Sequence, residues 1–251
     1  MTPASSLRVQ DHGPILVLTI ARPERRNALD NHTLRLLREA LSGAAADETR
    51  KVLVLEGEGG VSFCAGSDLK ALAEMSPSER LAHTALGQAV MEEIEDHPCL
   101  AIAAVEGFCL GGGFELALAC DLRISGSGAT FGFPEVALSG IPGWGGTYRL
   151  TRVAGLGLTK AVTLAGIRLD AERALAAGVL TEVVEQGRAV DRAVEFGLEL
   201  ADTVGRPALS RAKVLVNASA SIDNRLGRHL ELLTESELSH DEGFLARGSR
   251  G

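Results

Sequence analysis

The chain has 251 residues, 45% hydrophobic and 23% charged, so it is long and apolar enough to bury a sizeable core. Its net charge of −8 at pH 7 argues against nucleic acid and anionic membranes as main partners. A membrane span is excluded, because Glu106, Glu115 and Asp121 interrupt the most apolar stretch before about 18 apolar residues accumulate. The amino-terminal residues contain no apolar leader, and we expect a cytoplasmic protein.

The first third of the chain predicts a strand, a helix and a second strand in succession. Residues 14–20 form an apolar, β-branched run typical of a buried strand. Apolar side chains then recur at helical spacing over residues 31–46, with Asp30 or Asn31 as the expected N-cap. Residues 51–56 (KVLVLE) predict the next strand, which a glycine-rich turn closes.

A further helix is predicted from about residue 77 to residue 96, followed by a strand over residues 100–105. Alternation of strands and helices in this way indicates parallel βαβ units. Residues 107–146 are rich in glycine and hold most of the unusual sequence. Beyond residue 147 the pattern predicts a short strand near residues 181–185 and a series of helices, over residues 156–165, 170–177, 190–204, 207–218 and 223–238.

Cysteine and histidine spacing predicts no metal site. The six histidines do not pair with a cysteine or with one another at a zinc-ligand spacing. The four cysteines form no CxxC motif, and without an export signal we expect reduced, buried thiols. These cysteines are Cys64, Cys99, Cys109 and Cys120.

The familiar catalytic templates are absent from the chain. It contains no GxxxxGK[ST] loop, no GxGxxG after a strand and no HExxH, which excludes kinases, Rossmann dehydrogenases and zincins. It also lacks a GxSxG nucleophile elbow. No histidine lies between His97 and His229 to serve a serine in the central region, and we therefore expect no α/β-hydrolase chemistry.

Two glycine-bearing loops follow predicted strands. Residues 111–113 are three glycines that lead into a helix-like run, and residues 63–68 (FCAGSD) follow the KVLVLE strand and its turn. Glycines at a helix N-terminus leave backbone N–H groups unpaired and directed outward. Two such groups from separate strand ends can converge on one carbonyl oxygen and stabilise an enolate. Ordinary turn glycines are the alternative explanation for either loop.

Two glutamates lie in apolar sequence near these loops. Glu115 follows the triple glycine within one helical turn, and Glu135 lies in the segment GFPEV. Apolar surroundings raise the pKa of a carboxyl group, and two such groups can share general acid and general base roles. The alternative is structural, with each glutamate capping a helix or accepting a backbone N–H.

These features coincide with a family resemblance that runs from about Ile15 to Val184. The chain resembles the crotonase (enoyl-CoA hydratase/isomerase) superfamily in four ordered motifs. They are RPERRNAL at residues 22–29, FCAGSDLK at 63–70, GGGFELA at 111–117, and PE at 134–135 with IPGWGG at 141–146. The motifs are specific for the superfamily and less specific for the reaction.

The resemblance implies an α/β fold, a crotonase-like spiral of ββα or βαβ turns with a helical C-terminal trimerisation region. Residues 1–184 would form the core with the acyl-CoA site, and residues 185–251 the oligomerisation region. A homotrimer or a hexamer built from two trimers is expected, without a nucleic-acid or membrane partner. The substrate would be an acyl-CoA or acyl-pantetheine thioester, with no cofactor besides the CoA of the substrate and no metal.

The resemblance also implies roles for individual residues. The backbone N–H groups of Ser67 and Gly112 would form the oxyanion hole, while Glu115 and Glu135 would position and activate water. Arg25 and Lys70 are candidates for the CoA phosphates, with solvated surface charge as the alternative, and Trp144 would give a short or flat acyl site. The expected substrate-binding set is Arg25, Ala65, Ser67, Asp68, Leu69, Lys70, Gly112, Gly143 and Trp144.

The resemblance favours an enoyl-CoA hydratase, which adds water syn to a 2-enoyl-CoA or removes it from a 3-hydroxyacyl-CoA. Retention of both glutamates favours hydration, since isomerases of the family commonly use a single base. The alternatives are isomerisation, decarboxylation or thioester hydrolysis on the same scaffold, and a non-catalytic acyl-CoA-binding paralogue. Buried acids without a function are costly, which argues against the non-catalytic alternative.

Overall fold

The computed structural model describes residues 5–239, which form an α/β fold with two sheets. Adjacent strands pair mostly in parallel, as the strand–helix alternation predicts. The strands are β1 Leu7–His12, β2 Ile15–Ile20, β3 Val52–Gly57, β4 Ser62–Cys64, β5 Leu100–Val105, β6 Phe108–Leu110, β7 Leu122–Gly126, β8 Thr130–Gly132, β9 Leu169–Asp170 and β10 Glu182–Val184.

The helices surround these sheets, and most lie where their apolar periodicity predicts them. They are α1 Asn31–Ala46, α2 Leu69–Glu74, α3 Pro77–Glu95, α4 Gly112–Ala119, α5 Gly146–Leu164, α6 Ala171–Ala176, α7 Ala189–Thr203, α8 Arg206–Ser219 and α9 Asn224–Leu238. The predicted N-cap of α1 is confirmed as Asp30, whose side chain accepts the Thr33 N–H at 2.8 Å.

The topology is a spiral of strand–strand–helix turns. The larger sheet has the order β1-β2-β3-β5-β7-β10, with β1 antiparallel to β2 and the other pairs parallel. The smaller sheet has the order β4-β6-β8-β9. The chain moves repeatedly from a strand of the larger sheet to one of the smaller sheet, as β3 to β4, β5 to β6 and β7 to β8. This arrangement confirms the predicted spiral α/β fold.

The central strands of the larger sheet are buried on both faces. One face contributes to the main core with α1 and α3, and the other packs against α7 through Ala189 and Ala193. Gly197 of α7 lies so close to the sheet that a β-carbon there would come within 2.9 Å of the Ile15 side chain. The first helix after residue 184 thus packs on the sheet, while an oligomerisation role for residues 185–251 stays a prediction.

Several elements differ from the sequence expectations. The short strands of the smaller sheet were not predicted, because two- or three-residue strands carry no measurable alternation. The six-residue strand β1 was not predicted either, because its sequence LRVQDH is mostly polar and five of its six residues are exposed. Helix α5 contains the helix expected over residues 156–165 as its second part, and its first part, from Gly146, was not predicted. Its path bends at Gly155, whose φ of 79° is not helical, and this bend divides the apolar pattern that a longer helix would show.

The thiols are in the buried surroundings expected from the sequence. The four cysteines are free and buried. Within residues 5–239, no helix is both long enough and apolar enough to cross a bilayer, and no three His, Cys, Asp or Glu side chains are grouped to hold a metal ion.

Candidate active site

Two backbone N–H groups meet where the loop after β4 passes the N-terminus of α4. A β-carbon at Gly66 would lie 2.7 Å from the Gly112 nitrogen, so the two segments are in direct backbone contact. In the described part of the chain, the N–H groups of Ser67 and Gly112 donate to no protein acceptor. Unpaired donors from two adjacent segments are the arrangement that an oxyanion hole requires.

The Ser67 donor is left free by the way its neighbours are bonded. Leu29 donates its N–H to the Gly66 carbonyl at 2.8 Å and accepts the Asp68 N–H on its own carbonyl at 3.0 Å. These two bonds hold the loop on both sides of Ser67, through the carbonyl of Gly66 and the N–H of Asp68. The segment before α1 therefore fixes the position of the Ser67 N–H without consuming it.

A buried asparagine holds that segment in an unusual conformation. Asn27 has a left-handed φ of 56° and is fully buried. Its side-chain amide donates to the Glu58 and Ser62 carbonyls at 3.0 and 2.6 Å, and its oxygen accepts the Arg22 N–H at 3.0 Å. Asn27 and Leu29 of the motif RPERRNAL thus hold the loop that carries Ser67. This is a physical reason for the presence of that motif.

Each glycine of the triple-glycine turn is required by a close neighbour. A β-carbon at Gly111 would lie 2.9 Å from Oε1 of Glu135, and one at Gly112 would lie 2.4 Å from the ring of Trp144. A β-carbon at Gly113 would come within 2.0 Å of a backbone oxygen of the β4 loop. The turn therefore brings the Glu135 carboxyl against Gly111 and the Trp144 ring against Gly112.

Glu115 is a buried carboxylate with defined partners. It lies in the first turn of α4 with 2% of its surface exposed. Its Oε1 accepts the backbone N–H groups of Trp144 and Gly146 at 2.7 and 2.8 Å. Burial raises the pKa of this carboxyl, while the two N–H bonds oppose the rise. The structural alternative considered for this residue is therefore correct as far as it goes, since Glu115 also anchors the turn before α5.

Glu135 is the less satisfied of the two carboxyls. It opens a short 3-10 turn, Glu135–Leu138, and its buried Oε2 has no hydrogen-bond partner within the described residues. Burial, reinforced by the charge of Glu115, raises the pKa of Glu135 to about 7. The two glutamates are thus electrostatically coupled but have different surroundings, and Glu135 is the one suited to hold a proton at neutral pH.

Trp144 forms a wall beside the oxyanion hole. Its buried ring lies against Gly87 of α3 and Gly112 of α4, where a β-carbon would approach the ring within 2.1 and 2.4 Å respectively. Its carbonyl accepts the Arg149 guanidinium at 2.8 Å. Backbone and ring are therefore both fixed, and the indole occupies space beside the hole.

The remaining residues of the predicted substrate set differ in their exposure. Ala65 and Gly143 are half-buried in the loops, while Arg25, Leu69 and Lys70 are exposed on the surface. Asp68 is instead engaged with the protein, because it caps α2 and pairs with the Arg22 guanidinium at 2.8 Å.

The sequence analysis missed two polar side chains at the site. His83 of α3 lies with its Nε2 3.1 Å from the Ser67 Oγ, and its Nδ1 is 2.7 Å from Oδ1 of Asn31. The sequence has no histidine between His97 and His229, but the histidine that reaches Ser67 precedes both in the chain. The hydrogen bond joins residues that are 16 positions apart and on different elements, so no local pattern records it.

Known proteins match the chain along most of its length. The model of the enoyl-CoA hydratase/isomerase family matches residues 10–244. A mitochondrial methylglutaconyl-CoA hydratase from Homo sapiens is 36% identical over 225 residues, which cover 88% of this chain and 66% of the human protein. A short-chain-enoyl-CoA hydratase from Clostridium acetobutylicum is 36% identical over 217 residues, covering 86% of this chain and 80% of that protein.

A solved structure shares the whole fold. The enoyl-CoA hydratase from Bacillus anthracis superposes with a TM-score of 0.93 at 30% sequence identity. The match covers 98% of this chain and 97% of the Bacillus chain. The spiral of strands and the helices that carry the site are therefore common to both proteins.

The raised pKa of Glu135 predicts a pH-dependent cost in stability. Folding raises its pKa from an ordinary 4.5 to about 7, so the folded state binds more protons and stability falls as pH rises through that window. We expect Glu135→Gln to raise Tm by a few degrees at pH 8, and the gain to vanish near pH 4.5. Thermal unfolding at both pH values measures this.

The exposed Glu24 provides the matched control for that experiment. Glu24→Gln makes the same chemical change on the surface and should shift Tm little at either pH. An equal Tm gain for Glu135→Gln at pH 4.5 and pH 8 would show that Glu135 does not carry the raised pKa.

Proposed function

The chain belongs to the enoyl-CoA hydratase/isomerase family and is a lyase of the enoyl-CoA hydratase type, and we propose that Glu115 and Glu135 add water across a short 2-enoyl-CoA. One observation carries this assignment of roles. Glu115, a carboxylate held by two N–H bonds, is electrostatically coupled to Glu135, whose pKa is about 7 and whose Oε2 has no partner among the described residues, beside two free backbone donors. The reaction uses no cofactor, since CoA is part of the substrate.

The oxyanion hole acts on the thioester carbonyl. The N–H groups of Ser67 and Gly112 donate to the carbonyl oxygen and become stronger partners as negative charge develops on it in the enolate. This polarisation draws electron density from C3, which becomes the electrophilic carbon. Because the donors are fixed by the loops around them, little reorganisation is needed when the charge appears.

At the start of the reaction one glutamate of the pair is protonated and the other is not. Glu115, held as the anion, takes a proton from water as the oxygen attacks C3, and Glu135 gives its proton to C2 of the enolate. The product is the 3-hydroxyacyl thioester, with the proton now on Glu115. The reverse dehydration uses the opposite protonation of the same pair. One water held between the carboxyls supplies the addition from one face, which accounts for syn stereochemistry.

The substrate we propose has a short acyl chain. The Trp144 ring occupies the space next to Gly112, which limits the length available beyond the reacting carbons. The relatives' names are consistent with this, since they describe hydratases of short-chain-enoyl-CoA and methylglutaconyl-CoA. The exposed Arg25 and Lys70 are available to the CoA phosphates or to those of a carrier-bound pantetheine.

Assembly into a trimer or a pair of trimers is part of the same proposal, as is a cytoplasmic location. The last two described helices expose several large apolar side chains, which a neighbouring subunit would cover. These side chains are Val214, Val216, Leu226, Leu232 and Leu233.

The test of the reaction uses a panel of short, branched and aryl 2-enoyl-CoAs followed by mass spectrometry. Hydration predicts products heavier by one water. A product of unchanged mass would indicate isomerisation, and loss of carbon dioxide would indicate decarboxylation. If no member of the panel is altered while binding is retained, the non-catalytic alternative is correct.

The two glutamates should each be needed for turnover. Glu115→Gln and Glu135→Gln keep the shape of the side chain but remove proton transfer, which contributes about 10²–10⁴-fold. We expect kcat to fall by at least that factor in each variant while acyl-CoA binding, measured by calorimetry, changes little. Glu24→Gln is the control, and near-normal turnover of either buried variant excludes that residue from the reaction.

Trp144 should limit the length of the acyl chain. Trp144→Ala opens the space beside Gly112, and each methylene buried there adds roughly 0.8 kcal/mol to binding. We expect kcat/KM to move towards longer 2-enoyl-CoAs, with Trp144→Phe giving an intermediate profile. A chain-length profile that is unchanged in Trp144→Ala, in a protein that remains folded by circular dichroism, places the acyl chain elsewhere.

A further inference from the structure

Three side chains next to the oxyanion hole form a continuous hydrogen-bond chain. Ser67 Oγ lies 3.1 Å from Nε2 of His83, and Nδ1 of His83 lies 2.7 Å from Oδ1 of Asn31. Both distances are within hydrogen-bond range. The residues come from the β4–α2 loop, the middle of α3 and the first position of α1, so the packing of three separate elements creates the chain.

The direction of the hydrogen bonds follows from the partners. The Asn31 oxygen can only accept, so Nδ1 of His83 carries the proton and donates to it. In a neutral imidazole Nε2 is then an acceptor, and it takes the hydroxyl proton of Ser67. His83 has 2% of its surface exposed, and burial lowers its pKa, which keeps the ring neutral. A nucleophile, a base and a group that orients the base are thus aligned.

The same serine belongs to the oxyanion hole through its backbone. Its N–H is one of the two free donors, so a carbonyl oxygen bound there is held by the same residue that carries the hydroxyl. Serine proteases use this geometry, in which the nucleophilic serine also donates its own N–H to the oxyanion. The Trp144 ring, with its centroid 5.5 Å from that of His83, packs against the base.

We propose that Ser67, His83 and Asn31 form a nucleophilic triad that hydrolyses the acyl thioester bound in the oxyanion hole. This inference relies on the proposed function for the location of the thioester. It assigns to the site a second activity, an acyl transfer from CoA to water, which does not use C2 or C3 of the acyl chain. A saturated acyl-CoA, which cannot be hydrated, is therefore also a substrate.

The reaction runs in two balanced steps. The Ser67 oxygen attacks the carbonyl carbon while His83 takes the hydroxyl proton, and the C–S bond then breaks as the proton passes to the departing CoA sulfur. Water attacks the resulting acyl-Ser67 ester, His83 takes a proton from it, and that proton returns to the serine oxygen as the C–O bond breaks. The net change converts acyl-CoA and water into a carboxylic acid and free CoA thiol.

The experiment incubates the full-length protein with butyryl-CoA and measures thiol release with a thiol-reactive dye. Intact-mass spectrometry of acid-quenched samples then looks for a butyryl adduct, which peptide mapping assigns. We expect thiol release above the uncatalysed rate and an adduct on Ser67. Both should be lost in Ser67→Ala, while Ser127→Ala, an exposed serine changed in the same way, should retain them.

His83 and Asn31 are tested by variants that separate chemistry from packing. His83→Gln should lower thiol release by about 10²–10⁴-fold, the usual contribution of a general base. Asn31→Leu should lower it too, whereas Asn31→Asp, which keeps the acceptor oxygen, should restore it. A structural role alone would not give this rescue. If His83→Gln does not fold, the comparison of Asn31→Leu with Asn31→Asp still tests the triad.

Crotonyl-CoA hydration, measured in parallel, separates this inference from the proposed function. Hydration without thiol release from butyryl-CoA overturns the triad and leaves the hydratase assignment intact. Thiol release that depends on Ser67, without hydration of any 2-enoyl-CoA, supports the triad and overturns the assignment. Thiol release at the wild-type rate in Ser67→Ala also overturns the triad, because water would then be attacking the thioester directly.

Discussion

The site depends on one close contact between two pieces of backbone, at Gly66 and Gly112. Their separation leaves no room for a side chain at either position, and it brings the free N–H of Ser67 near that of Gly112. Buried donors without partners are unfavourable, so the fold must hold them by other means. Hydrogen bonds from Leu29 on one side and the packing of the Trp144 ring on the other provide this restraint. The fold thus concentrates unsatisfied donors where a carbonyl oxygen can satisfy them.

The carboxyls of Glu115 and Glu135 have different surroundings, and these surroundings suit them to different roles in one reaction. Glu115 accepts two N–H groups and connects α4 to the turn before α5, so its anionic form is stabilised and its position is shared with the fold. Glu135 has an oxygen without a partner among residues 5–239, and the charge of Glu115 contributes to its raised pKa. Replacing Glu115 should therefore disturb the fold. Glu135 lowers the stability of the folded protein at neutral pH, but it can hold a proton for the reaction there.

Much of this arrangement was predictable from the sequence. Strong periodicity fixes the long helices and the buried strands, and the cap at Asp30 follows from residue type. The glycine loops and the glutamates were identifiable because glycine runs and acids in apolar sequence are locally unusual. Strand β4 was not, since three residues carry no period, and neither was the contact between Ser67 and His83. That contact depends on how α3 packs across the β4–α2 loop, which is a tertiary property without a local signature.

The central claim is that two backbone donors polarise the thioester carbonyl, and vibrational spectroscopy measures this most directly. Crotonyl-CoA with a ¹³C-labelled carbonyl, bound to the Glu135→Gln protein to slow turnover, gives an isotope-edited infrared band for that carbonyl alone. The account predicts a band at lower frequency than for the same thioester in water, because hydrogen bonds to the fixed N–H groups of Ser67 and Gly112 weaken the C=O bond. A bound thioester whose carbonyl frequency equals that in water would contradict it.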